Sequence, residues 1–253
     1  MAPLTYRTAL ITGASSGIGA ALARRLAATG TEVILSARRN SELQEQANAI
    51  SDAGGQCHVV VLDLRDPRAT EQTVAELDKK FQFDLVIANA GVGRLVPGQE
   101  LSWDTCEDII AVNVSGAIAT LLGALPGMLA RGRGQLVGVS SVGQGLGMPH
   151  NGTYMASKAF LATFLASLRN DLHATGIAVS DARPGIIDTP MTETLARRPF
   201  VISADEAASS ILDGVQRREA VIAFPVSARL MAASFRMMPN RLFQSVMRWM
   251  KDH

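Results

Sequence analysis

Short unbroken apolar runs alternate along this chain with longer stretches in which apolar residues return every third or fourth position, and the two patterns take turns from end to end. Residues 8–12, 32–36, 58–63, 84–88, 135–141, 177–181 and 220–224 read as strands. Between them the helical period predicts helices over Ala20 to Ala28, closed by Gly30, and from Ser41, where Ser41 to Gln44 has capping-box form, to Gly54. Others start at Asp66-Pro67, a cap and a first-turn proline, and run over Ser102 to Leu129 and Thr153 to Ala174. Ser203 to Glu206, a second capping box, opens one more. There is no internal repeat or low-complexity segment. The expected architecture is α/β, a doubly wound parallel sheet of about seven strands with helices on both faces. At 253 residues one such domain is expected over 1–225, followed by a basic amphipathic helical tail over 226–253.

The first strand runs into Gly13-Ala-Ser-Ser-Gly17-Ile-Gly19 and then a helix, which gives each glycine a task. Gly13 permits a tight turn, Gly17 lets the backbone approach a pyrophosphate, Gly19 lets helix pack on strand, and the helix N-terminus offers N–H donors to the anion. Strand, glycine turn and helix in this order read as a dinucleotide site of Rossmann type. An acidic side chain ending the second strand would bind the ribose of NAD. Ala37, Arg38 and Arg39 stand there instead, and a guanidinium fork suits a 2′-phosphate, so NADP(H) is expected. Asp63, ending the third strand, is placed to accept from an adenine amino group, and Gly91 and Gly93 suit close backbone approach to a ligand.

Asn113 lies amid Ile109, Ile110, Val112 and Val114, and a buried amide without a partner costs roughly 1–3 kcal/mol, so it is either structurally bonded or functional. The fifth strand delivers Ser140 and Ser141 at its carboxyl end, and Ser141 precedes Tyr154 by 13 residues. Tyr154 and Lys158 are one helical turn apart, with phenol and ammonium on one face. An adjacent cation favours the phenolate and is expected to lower a pKa that is ordinarily ~10.

Hydrophobic residues make up 47% and charged residues 19% of the chain, and a net charge of +1 sets up no field that would gather nucleic acid. Cys57 and Cys106 have no companion ligands, so neither a disulfide nor a metal site is expected, and a reducing, cytoplasmic compartment fits. Met1 to Arg7 lacks the form of a secretory signal. Ile109 to Leu129 is the longest charge-free stretch, but Asn113, Ser115, three glycines and Pro126 mark it as a buried helix.

The tail carries Arg229, Arg236, Arg241, Arg248 and Lys251 against Asp252 alone. It reads as two helices broken at Pro239, the second placing Leu242, Phe243, Val246, Met247 and Met250 on one face, with Arg241 and Arg248 opposite and Trp249 nearby. Three readings suit it: core or subunit contact, an anionic membrane surface, or a lid over the substrate pocket.

The segment Thr12 to Gly19, Asp63, Asn89-Ala90-Gly91, Asn113, Ser141, Tyr154-x-x-x-Lys158 and Pro184-Gly185 with Thr189 resemble, in order and spacing, the compact classical type of the short-chain dehydrogenase/reductase family. The resemblance covers Thr8 to about Pro225, and Ala37-Arg38 is similar to its NADP-preferring members. Ala88 departs from the pattern, since a second Asn often precedes Asn89-Ala90-Gly91. The resemblance implies that NADP(H) contacts Gly13, Ser15, Ser16, Gly17, Ile18, Gly19, Arg38, Arg39, Asp63, Leu64, Asn89, Ala90, Gly91, Tyr154, Lys158, Pro184, Gly185, Ile187 and Thr189. It also implies a catalytic set in which Tyr154 is general acid or base. Lys158 holds the ribose hydroxyls and depresses the phenol's pKa, Ser141 orients the carbonyl oxygen, and Asn113 holds a relay water.

Substrate is expected between Val142 to Gly152, including Gln144, Met148 and His150, and the loop from Ile187 to Phe200. These residues are mostly apolar and carry no arginine cluster after Ser141, so a hydrophobic ketone, aldehyde or secondary alcohol is expected. Family members pair through the helices that here are Ser102 to Leu129 and Thr153 to Ala174, which implies a homodimer or homotetramer. The alternative reading is a non-catalytic NADP(H)-binding regulator or membrane-attached scaffold. An epimerase of the family's extended branch is disfavoured by the little chain that remains after Phe224.

Overall fold

A computed structural model describes residues 6–193 and 198–252, with side chains through 248. Residues 194–197 of the expected substrate loop, and the side chains of Trp249 and Met250, lie outside the described residues.

Seven strands form one parallel sheet: β1 (Thr8–Thr12), β2 (Glu32–Ala37), β3 (Cys57–Val61), β4 (Leu85–Ala88), β5 (Gly134–Val139), β6 (Ile177–Pro184) and, after two short strands β7 (Ile187–Asp188) and β8 (Ile202–Ser203) that pair with each other, β9 (Val221–Phe224). Their order is β3-β2-β1-β4-β5-β6-β9. The winding direction therefore reverses between β1 and β4, where an open α/β sheet leaves a crevice at the strands' carboxyl ends.

Successive residues of each strand face opposite cores. Ala9, Ile11, Val33, Leu35, Ile87 and Val137 pack under α1 (Gly17–Ala28), α2 (Asn40–Asp52) and α7 (Ala204–Gln216). Leu10, Ile34, Val86 and Leu136 pack under α3 (Pro67–Phe81), α5 (Ala117–Arg131) and α6 (Gly152–Asp171). Because both faces are covered, the strands read as unbroken apolar runs.

Several helix starts follow the sequence. Asp66 Oδ1 accepts from Ala69 N at 3.0 Å with Pro67 in the first turn, and Ser203 and Glu206 close a reciprocal capping box at 3.2 and 2.8 Å. The box expected at Ser41 does not form: α2 begins at Asn40 with Arg39 as its cap, so Ser41 already lies in the first turn and bonds the Glu42 carboxylate at 2.7 Å.

The helix expected over Ser102 to Leu129 is α4 (Trp103–Ile110), a π-helical segment (Ala111–Gly116) and α5 in continuous succession. Trp103–Arg131 is long and apolar enough to cross a membrane by length and composition. Here it packs Leu121, Ala124 and Met128 into the core beside α3, and a Cβ on Gly123 would stand 2.7 Å from the Glu71 carbonyl.

The tail forms α8 (Val226–Met237) and α9 (Asn240–Asp252). Ala228 and Ala232 pack on Val142 and Leu146, Phe235 meets Phe243 edge to face at 6.1 Å, and Arg236 Nη2 donates to the carbonyls of Val142 and Gln144 at 2.9 Å each. Its inner face thus grips the segment that follows Ser141. Val226, Leu230, Met237 and Leu242 are exposed.

Candidate active site

A cleft of about 440 Å³ opens at the reversal point of the sheet. Its floor is the turn after β1. Gly13 and Gly17 sit at φ +70° and +56°, which L side chains resist, and a Cβ on Gly19 would come within 2.3 Å of the Gly13 carbonyl. Ser16 is the cap residue of α1, but its side chain accepts from none of that end's N–H groups. Thr12 and Asn89 lock the neighbouring turn: Thr12 Oγ1 accepts from the amides of Asn89 and Ala90 at 3.2 Å, and Asn89 Nδ2 donates to Thr12 O at 3.0 Å.

At one end of the cleft lie Ala37, Arg38, Arg39, Asp63 and Leu64. Arg39 is engaged, its Nη2 donating to Ser15 and Ser16 Oγ at 2.9 Å and its Nη1 pairing with Glu42 at 3.2 Å. Arg38 is exposed and has no hydrogen-bonding or ionic partner among the described residues. Asp63 lies beyond the end of β3, and the guanidinium of Arg65 on its carboxylate holds its pKa below the ordinary value.

At the other end Tyr154 and Lys158 rise from the first turns of α6. Lys158 Nζ lies 5.7 Å from the Tyr154 ring centroid and donates to Val139 O at 2.8 Å. Burial raises the phenol to about 12 and lowers the ammonium to about 8, the latter partly opposed by Asp181. Burial therefore acts on the phenol against the depression expected from Lys158, whose ammonium is bonded to a carbonyl. Gly91 and Gly93, expected to admit a ligand, make room for this pair: a Cβ would stand 3.2 Å from Lys158 Nζ at Gly91 and 3.1 Å from Tyr154 Cδ2 at Gly93.

Asn113 is buried in the π segment. Its Oδ1 accepts from Val92 N at 2.8 Å, and its Nδ2 donates to Val92 O at 2.9 Å and to Ser157 Oγ at 3.0 Å. Ser141 is half-buried, its Oγ accepting from Gly143 N at 3.2 Å, while Ser140 forms part of the cleft wall. Pro184, Gly185, Ile187 and Thr189 form the opposite wall, and a Cβ on Gly17 would lie 3.0 Å from Thr189 Cγ2.

The three substrate residues expected after Ser141 are not brought to this wall. Gln144 is buried beneath it, Met148 packs toward the tail helices, and His150, at φ +60°, has its carbonyl bonded to Val96 N at 2.8 Å. Sequence reasoning missed Val92, which anchors Asn113 through its backbone, and Asp181, whose signal was a carboxylate inside an apolar strand.

A nucleotide cleft at the switch point of a parallel sheet, with a Tyr–Lys pair at one end and a free arginine at the other, defines a dinucleotide-dependent oxidoreductase. The sequence profile described as short chain dehydrogenase matches residues 7–199, and the chain belongs to that family. It is 40% identical over 250 residues to an uncharacterized oxidoreductase of Myxococcus xanthus, covering 98% of this chain and 99% of that one. It is 32% identical over 247 residues to the fatty acyl-CoA reductase of Acinetobacter baylyi, covering 95% and 83%. The solved short-chain dehydrogenase of Sphingobium yanoikuyae in complex with NADPH superposes with a TM-score of 0.80 at 29% identity, covering 90% and 92%. The protein is an NADP(H)-dependent oxidoreductase, and the glycine cradle, the α1 terminus and Arg38 fit that cofactor.

Proposed function

We propose that the protein interconverts the carbonyl and secondary alcohol of a hydrophobic small molecule, with Tyr154 as the proton donor. The observation that carries this is the Tyr154–Lys158 stack at the end of the cleft away from Arg38. Bound NADPH supplies a hydride to the carbonyl carbon. Tyr154 Oη gives its proton to the carbonyl oxygen, a role suited to a phenol still protonated at neutral pH with a pKa of about 12. Lys158 would hold the ribose hydroxyls, and Ser141 would orient the carbonyl oxygen. The side-chain amide of Asn113 is committed to Val92 and Ser157, so a relay water would fall to its main-chain carbonyl. Arg38, with Arg39 beside it, would hold the 2′-phosphate.

A hydrophobic substrate is supported by the apolar residues Val92, Pro190 and Met191 in the cleft lining, Met191 meeting Tyr154 around Gly93, and by the likeness to a fatty acyl-CoA reductase. A homodimer is supported by Trp103, Ile110 and Phe160, exposed on α4 and α6. We assign the exposed stripe of α8 to contact with an anionic bilayer from the cytoplasmic side, because Arg229 lies beside it and no carboxylate lies between Glu219 and Asp252 to offset the basic residues of the tail.

The test is fluorescence titration with NADPH and NADH, followed by turnover of aliphatic and aromatic ketones and aldehydes and of 2-oxo acids. Tyr154→Phe should keep NADPH affinity and lose turnover at least about a hundredfold; Arg38→Ala should bind NADPH about tenfold more weakly and NADH unchanged. Turnover that survives in Tyr154→Phe would refute the assignment of the acid, and preferential turnover of the 2-oxo acids would refute the substrate class.

A further inference from the structure

Asp181 is wholly buried in the middle of β6. A charge in such a place persists only when it is paired and bonded. Both its oxygens are used: Oδ1 accepts from Ser140 Oγ at 2.5 Å, and Oδ2 accepts from Arg183 Nε at 2.6 Å. Each partner leads to a reacting group. Ser140 precedes Ser141, and its amide is tied to Ala182 O at 2.8 Å. With the Gln144 amide oriented to satisfy both its ends, Arg183 Nη1 donates to that side chain at 3.2 Å, and Gln144 in turn donates to the carbonyl of Lys158 at 3.1 Å.

The carboxylate also acts on the Lys158 ammonium across the sheet, opposing the effect of burial. The other groups around that ammonium are Tyr154 one turn earlier on α6, the carbonyl of Val139 on β5, and Asn113 and Gly91, all uncharged at neutral pH. Arg169 on α6 and Arg183 on β6 are the cations near Asp181 itself. Asp181 is not among the described residues that line the cleft.

We propose that Asp181 is a positioning residue of this oxidoreductase, holding in place the Ser140–Ser141 end of β5 and, through Arg183 and Gln144, the turn of α6 that carries Lys158, without touching substrate or cofactor. The inference rests on the reading of Lys158 as the group that grips the cofactor's ribose, and the experiment separates the two.

NADPH affinity is measured by fluorescence from about pH 6 to about pH 10 for the wild type and for Asp181→Asn, Arg183→Gln, Ser140→Ala and Lys158→Ala, with thermal melts to show that each is folded. Wild-type affinity should fall as Lys158 loses its proton around pH 8. Asp181→Asn should move that fall down by about one pH unit. Arg183→Gln, which leaves the carboxylate less neutralised, should move it up, and Ser140→Ala, which keeps the charge, should leave it in place. A fall at the wild-type pH in both Asp181→Asn and Arg183→Gln overturns the inference, and should Asp181→Asn not fold, the direction read in Arg183→Gln decides it. An alkaline fall that persists in Lys158→Ala overturns the reading of Lys158 and the inference with it.

Discussion

Lys158 sits in the interior with its ammonium on one backbone carbonyl, and burial takes its pKa from 10.5 to about 8. The folded value lies below the unfolded one, so the buried charge costs stability at neutral pH, about 3 kcal/mol by linkage. That cost disappears as pH rises from about 8 through 10.5. Lys158→Met should therefore melt higher than the wild type at pH 7, by roughly 6–12 °C, with the difference shrinking toward pH 10, while turnover is lost. Calorimetry across that pH range checks it, and a lower melting temperature at neutral pH would show that the Val139 bond outweighs the charge. The same burial explains why the phenol beside it moves upward, which the four-residue spacing could not reveal. Spacing gives a face, whereas the balance between desolvation and a neighbouring charge depends on everything packed around the pair.

Among the elements, α1 is the one that the cofactor cradle depends on most. A methyl at Gly19 would drive the helix off β1, because the Gly13 carbonyl stands 2.3 Å from where it would go. Gly19→Ala is expected to cost about 2 kcal/mol in urea unfolding and to weaken NADPH binding at least tenfold. Gly30→Ala is the control: at φ +85°, with nothing within 4 Å of the added carbon, it should cost about 1 kcal/mol and leave binding unchanged. Equal loss of NADPH affinity in both variants would show that the effect of Gly19 is global.

These elements were legible because their signals are local. Apolar runs, the glycine turn, the Ser203 box and the Tyr–Lys spacing each lie within a few residues. What the sequence hid is non-local. The π segment carries Asn113, whose partner Val92 lies 21 residues earlier. The placing of Gln144 and Met148 follows the packing of α8, with Ala228 and Arg236 settling against a loop far upstream. Asp181 and Arg183 acquire meaning only once β6 pairs with β5 and brings Ser140 alongside.

At the scale of the molecule, the tail shows one face to the body and another to the outside. Val226, Leu230 and Met237 recur along the outer face of α8, with Arg229 among them. The 253-residue chain is expected to float with vesicles of phosphatidylcholine and phosphatidylglycerol and to stay behind with phosphatidylcholine alone, and Leu230→Asp with Met237→Asp should abolish flotation. Binding to neither vesicle, with a change of mass in the double variant on light scattering, would assign the stripe to a second subunit instead.

The strand order has a consequence for the chain as it is made. β1 emerges early but is flanked in the sheet by β2 on one side and β4 on the other, and the wall from Pro184 to Thr192 closes the cleft from the far end of the sequence. A growing polypeptide therefore exposes its glycine turn long before it owns a second side to the pocket. Nucleotide capture must wait until the ribosome has released β6 and the segment beyond it, so a messenger truncated anywhere in its first two thirds encodes no partial enzyme, only an unfinished sheet with open edges.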